Sequence, residues 1–141
     1  MAIRWTKTLS VGIPAIDEQH KELFRRAGAF LDGLAGKSRQ EVGILLSYLR
    51  SYAVIHFGEE EDAMRVARYP GYARHKAQHD QFMRDLLALS REQEKRRGPG
   101  VDPKILGARV KSWLVDHVQS TDADMADFLI ERARGRRAED R

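Results

Sequence analysis

Three clusters of glycine and proline cut this chain into four long stretches, and every stretch repeats its apolar residues at helical spacing. The breaks are Gly33 with Gly36, then Tyr69-Pro70-Gly71, then Gly98-Pro99-Gly100. The first stretch, from about Asp17 to Leu34, carries Leu23, Phe24, Ala27, Phe30, Leu31 and Leu34 on one face. The second, from about Arg39 to Val66, follows Ser38 as its N-cap and carries Val42, Leu45, Leu46, Leu49, Ala53 and Met64. The third, from about Tyr72 to Arg96, runs through Phe82, Met83, Leu86 and Leu89. Asp102-Pro103 caps and opens the fourth, which carries Ile105, Leu106, Val110, Trp113, Leu114 and Val118 and continues through Phe128 to Ile130. No strand alternation competes. Short connections between long helices predict antiparallel neighbours, so the expected fold is an all-α, up-down-up-down four-helix bundle. Residues 1–14 read as an extended N-terminal arm, with Trp5, Leu9, Val11 and Ile13 available to pack on the body, and residues 132–141 as a basic C-terminal tail.

At 141 residues the chain has the size of one domain with a real core. It contains no cysteine, which excludes disulfides, thiolate metal sites, iron–sulfur clusters and a cysteine nucleophile. Any metal must be held by nitrogen and oxygen. The net charge of +4 is concentrated in Lys95-Arg96-Arg97 and in Arg132, Arg134, Arg136 and Arg137, at helix C-termini where cations complement the macrodipole. No aromatic interleaving points to nucleic acid, and no long apolar run points to a membrane span. The start lacks a signal-like apolar region, so a cytoplasmic protein is expected.

All five histidines fall where they can hold a metal. His20 opens the first helix, His56 stands four before Glu60, His75 and His79 are four apart, and His117 is five before Asp122. A four-residue step returns to the same helix face, which selects Glu60 over Glu59 and Glu61. Glu59, Glu61 and Asp62 then read as a solvated face opposed by Arg65 and Arg68. A five-residue step misses by roughly 140° on a regular helix, so Asp122 requires a distorted one. Ser120 and Thr121 supply hydroxyls that bend helices by bonding back to the backbone. The seven candidate donors exceed the roughly four that one zinc ion takes. Two six-coordinate ions accommodate them if both carboxylates bridge and one further oxygen atom is shared, leaving one position open. Leu23, Phe57, Trp113, Leu114 and Val118 flank these donors as an apolar shell that excludes water.

These motifs resemble the haemerythrin family in its bacterial single-domain form, over nearly the whole chain. Trp5 with Leu9-Ser10-Val11-Gly12-Ile13 is similar to the family's N-terminal arm, and Ile16-Asp17-Glu18-Gln19-His20 through Phe24 to its first ligand motif. His56-Phe57-Gly58-Glu59-Glu60, then Met64 and Tyr69-Pro70, resemble the second, and His75 with His79-Asp80-Gln81-Phe82 the third. Trp113-Leu114-Val115-Asp116-His117 through Asp122 resemble the fourth. The resemblance implies a non-haem di-iron centre bridged by an oxo or hydroxo group and by Glu60 and Asp122. His75, His79 and His117 would hold one iron. His20 and His56 would hold the other, which keeps the open position for molecular oxygen. The family often carries lysine directly after the bridging aspartate and an aromatic residue beyond it, where this chain has Ala123 and Met125.

The function expected from this pattern is reversible oxygen binding for transport, storage or delivery, without enzymatic turnover. Oxygen-activating carboxylate-rich di-iron bundles carry Glu-x-x-His motifs, and this chain has none. Two further readings share the same residues. One is a sensor of oxygen, nitric oxide or redox state acting through a partner, for which 141 residues leave no attached output domain. The other is a peroxidase-like or nitric-oxide-converting enzyme, for which no general acid distinct from the ligands stands out.

Overall fold

The computed structural model describes residues 3–33, 36–95 and 97–139, with side chains as far as residue 135. Leu34, Arg96 and the side chains of Arg136 and Arg137, to which the sequence assigned roles, lie outside the described residues. The main elements are α1 (Pro14–Asp32), α2 (Arg39–Ala67), α3 (Tyr72–Glu94), α4 (Pro103–Asp116), a π-helical stretch (His117–Asp122) and α5 (Ala123–Glu139). The last three form one continuous rod, so the architecture is a four-helix bundle with no strand among the described residues.

Local chemistry sets the helix ends. Ser38 and Glu41 form a reciprocal capping box at α2: the Ser38 Oγ accepts from the Glu41 amide at 3.1 Å, and the Glu41 carboxylate accepts from the Ser38 amide at 3.2 Å. Asp102 caps α4 through the Lys104 amide at 2.9 Å, with Pro103 in the first turn where no amide proton is needed. α1 begins at Pro14 rather than near Asp17. Pro14 therefore belongs to the helix, not to the arm. Asp17 serves the arm instead, accepting from the Val11 amide at 2.9 Å and the Ser10 hydroxyl at 2.6 Å. α3 stops at Glu94, and its last carbonyls are met across the bundle. The Arg39 guanidinium donates to the carbonyls of Gln93 and Gly98 at 2.8 Å each and also to that of Lys95. A cation from the start of α2 thus joins Lys95, the C-cap of α3, which pairs with Glu92.

The core is filled by Phe24, Leu49, Met64, Leu86, Leu106, Leu114 and Met125, each almost fully buried. Burying one such side chain contributes about 1.5–3 kcal/mol. The arm closes over α1 through Ile3, Leu9 and Val11, all buried. Its approach depends on Gly28, where a Cβ would stand 2.7 Å from the Ile3 carbonyl oxygen. α2 packs closely on α3, and α1 packs on α4 and α2. Between α3 and α4 the surfaces part, leaving a groove of about 830 Å³.

Candidate metal centre

Each helix brings its donors inward at one level of the bundle. His20 comes from α1, His56 and Glu60 from α2, His75 and His79 from α3, and His117 and Asp122 from the π stretch. All seven are buried to 4% exposure or less. Between His117 and Asp122 the helix widens by one residue, as the five-residue spacing demands. Ser120 contributes as expected, its hydroxyl donating to the Asp116 carbonyl four residues back at 2.8 Å. Thr121 does not; its hydroxyl leaves the helix and donates to Gln78 Oε1 at 2.7 Å. The widened turn sets Asp122 Oδ1 3.0 Å from His117 Nε2.

The donors form two overlapping groups. Glu60, His75, His79, His117 and Asp122 make one; His20, His56, Glu60 and Asp122 make the other. In each group the donor atoms lie within 4.8 Å of one another, and both carboxylates belong to both groups. Glu60 Oε1 lies 3.1 Å from His79, 3.6 Å from His75 and 3.5 Å from His56. Asp122 lies 3.0 Å from each of His20, His75 and His117. These contacts are close but poorly aligned for proton sharing. All four carboxylate oxygens, and both ring nitrogens of His20 and His75, have no hydrogen bond among the described residues. An orphaned buried polar atom costs about 1–3 kcal/mol. Such a set of lone pairs aimed at common points fits bound cations.

Three histidines are oriented by side chains that the sequence reading passed over. His56 Nδ1 donates to Gln19 Oε1, His79 Nδ1 donates to Glu61 at 3.0 Å, and His117 Nδ1 donates to Gln78 Oε1 at 3.0 Å. Each bond fixes the tautomer that leaves Nε2 bare and inward. The Nε2 atoms of His79 and His117 consequently face each other at 3.2 Å, an arrangement that a shared cation relieves. Glu61 therefore departs from the solvated face to which it was assigned. Its side chain is mostly covered, at 14% exposure, whereas Glu59 and Asp62 remain exposed and Asp62 pairs with Arg65. Aromatic rings clamp the same three imidazoles: Tyr52 on His56 at 5.2 Å, Phe57 on His79 at 3.8 Å and Trp113 on His117 at 4.6 Å.

Burial and neighbouring charge set the protonation of the metal-free site. Burial, then the neighbouring His20, holds His56 down to about 3. Burial, then His75 and His117, holds His79 down to about 2. For His75 burial acts against the charge, but the Asp122 and Glu60 carboxylates outweigh it and lift the ring to about 9. Glu60 is pushed well up by burial and by Asp122. Asp122 is held well down, because His117, His20 and His75 overcome its burial. Two imidazoles are thus kept neutral, the form that binds metal, and the proton the carboxylates hold on His75 is one that metal would displace.

Beside the smaller donor group lies a pocket of about 10 Å³, on the scale of one small molecule. His20, His56, His117 and Asp122 form its polar end, and Leu23, Phe57, Trp113, Leu114 and Val118 form part of its hydrocarbon wall. Leu49, Tyr52, Ala53 and Phe82 complete it. Met125 is fully buried, whereas Ala123 is half-buried and lines neither this pocket nor the groove.

Residues 11–129 match the family model described as the Hemerythrin HHE cation binding domain. A Bacteriohemerythrin of Methylococcus capsulatus is 31% identical over 119 residues, covering 84% of this chain and 89% of that one. A Hemerythrin-like protein of Naegleria gruberi is 34% identical over 122 residues, covering 84% and 86%. A crystal structure of wild-type hemerythrin superposes with a TM-score of 0.82 at 28% identity, covering 92% of this chain and 98% of that one. With its bundle, its inward histidines and a family match across most of its length, the chain belongs to the haemerythrin family.

Proposed function

We propose that this chain forms one haemerythrin domain over residues 1–141, including the arm and the basic C-terminal segment, and binds molecular oxygen reversibly at a non-haem di-iron centre. In this reading His75, His79 and His117 hold one iron, His20 and His56 hold the other, and Glu60 and Asp122 bridge. One observation carries it: two donor groups share both carboxylates, and the hydrocarbon pocket is lined by both histidines of the smaller group and by one, His117, of the larger. When bound, an iron pair supplies reversible two-electron redox chemistry.

The chain's own residues do the rest. Gln19, Glu61 and Gln78 hold three imidazoles in the coordinating tautomer. Leu23, Phe57, Leu114 and Val118 keep water from the pocket, which suppresses loss of electrons to solvent. Tyr52 presents a hydroxyl near the pocket but commits it to the Gln19 carbonyl at 2.6 Å. A lining so poor in free proton donors supports binding and release over bond cleavage, which needs a general acid.

The test is iron analysis with optical spectra. About two irons per chain are expected in such a bundle site, with an absorption band that appears on oxygenation and disappears under vacuum over repeated cycles. Irreversible bleaching on the first exposure, or steady turnover of peroxide or nitric oxide, overturns the reading.

A further inference from the structure

Of the thirteen residues lining the small pocket, all are buried except Tyr52 and Trp113. These two are therefore the lining side chains that solvent reaches most. They are held very differently. Tyr52 is anchored, its hydroxyl bonded to the Gln19 carbonyl at 2.6 Å and its ring stacked on His56. No hydrogen bond from the described residues holds the Trp113 indole. It sits between the Phe82 ring at 3.7 Å and the His117 ring at 4.6 Å, with the Phe57 ring tilted at 5.5 Å, and is held by ring and apolar packing. Stacked aromatic pairs contribute only about 0.5–1.5 kcal/mol beyond area burial.

The two residues also face different surroundings. Phe82, Trp113 and His117 line the small pocket on one side and the groove of about 830 Å³ between α3 and α4 on the other. Tyr52 does not line that groove. The groove gives the indole room to turn outward without moving a helix, and its floor of Leu86, Leu106 and Val110 receives an apolar ring. A polar rim that includes Gln81, Asp85 and Arg109 keeps its mouth wet.

We infer that Trp113 is the gate through which a small apolar ligand passes between the α3–α4 groove and the metal pocket. The inference rests on the oxygen-binding reading above. Because the indole blocks the path both ways, opening it speeds arrival and release together.

Stopped-flow measurement of oxygen uptake and release by the iron-loaded full chain tests this. Trp113→Ala is expected to raise both rate constants by about tenfold or more. Trp113→Phe, which preserves the stack, should fall between. A second measurement does not depend on iron chemistry. With 5-fluorotryptophan in the zinc-loaded chain, the ¹⁹F resonance of Trp113 should show exchange between two states while that of Trp5 does not. Rates in Trp113→Ala within twofold of wild type, a single non-exchanging Trp113 resonance, or faster uptake in Tyr52→Phe than in Trp113→Ala would each overturn the gate. Failure of the iron-loaded chain to take up oxygen reversibly overturns the functional reading alone, and the fluorine measurement still decides the gate.

Discussion

Glu61 and Glu60 are neighbours in sequence with opposite duties. Glu60 turns inward and places Oε1 within 3.6 Å of three histidines, while Glu61 turns toward α3 and accepts from His79 Nδ1 at 3.0 Å. The carboxylate of Glu61 fixes the imidazole tautomer and makes the ring a stronger donor. Lys76, which pairs with Asp80 at 2.9 Å, also lies 3.8 Å from Glu61. Glu61→Ala is therefore expected to weaken metal retention by about 10–100-fold, the usual cost of losing such a partner. Glu61→Gln, whose amide oxygen still accepts, should recover most of it. Competition against a chelator of known affinity measures both; equal retention in Glu61→Ala and wild type would remove Glu61 from the site's machinery.

The π stretch shows how one element can be built around a single carboxylate. It inserts one residue between α4 and α5, turning Asp122 back to the face that holds His117. It also sets the rotation of everything downstream, including Met125 and Ala126, both fully buried in α5. Inserting one alanine after the exposed Gln119 adds a residue beyond the one the bulge absorbs, and should rotate α5 by about 100°. That rotation takes Met125 out of the core, at a cost of about 2–5 kcal/mol, and turns Asp122 away from His117. The insertion is expected to lower the melting temperature of the metal-free protein and to abolish metal retention, whereas Gln119→Ala does neither. Thermal unfolding with iron analysis of the same samples decides it, and an insertion variant that keeps both properties would refute this account.

For the molecule as a whole, the buried site makes stability depend on pH with a sign that metal reverses. Without metal, His56 and His79 are held to about 3 and 2, chiefly by burial, so below their ordinary value near 6.5 only the unfolded chain binds those protons. Stability contributed by their neutrality is lost as pH falls from about 6.5. His75, lifted to about 9, contributes in the opposite sense: its stabilisation is full below about 6.5 and is lost as pH rises toward 9. Glu60, pushed up, has the sign of His75 and offsets part of the acid loss. The net expectation for metal-free protein is a maximum near pH 6.5, falling on the acid side by about 1.4 kcal/mol per pH unit for each net proton. Metal displaces the proton on His75, so iron-loaded protein should gain stability from pH 6.5 to 8 while metal-free protein loses it. Denaturant unfolding of both forms across this range provides the measurement, and parallel curves would show that the site is not linked to protons in this way.

Much of this was legible in the chain itself. The breaks at Gly33–Gly36, Tyr69-Pro70-Gly71 and Gly98-Pro99-Gly100 fall between the helices, and the caps at Ser38 and Asp102 stand where they were expected. The five-residue step from His117 to Asp122 calls for a distorted helix, and the π stretch supplies it. These features depend on periodicity within one helix, a short-range property that sequence spacing reports directly. The partners of the imidazoles were not legible. Gln19, Glu61 and Gln78 look like surface residues within their own helices, and each meets its histidine across a helix–helix interface. The separation of donors into groups of five and four, the pocket beside the smaller group and the groove behind Trp113 belong to the same class. Sequence by itself determined which side chains share a face on each helix. Tertiary structure alone decided which faces meet, because the rotation and axial offset of packed helices are set by the fit of the whole core and not by any local window.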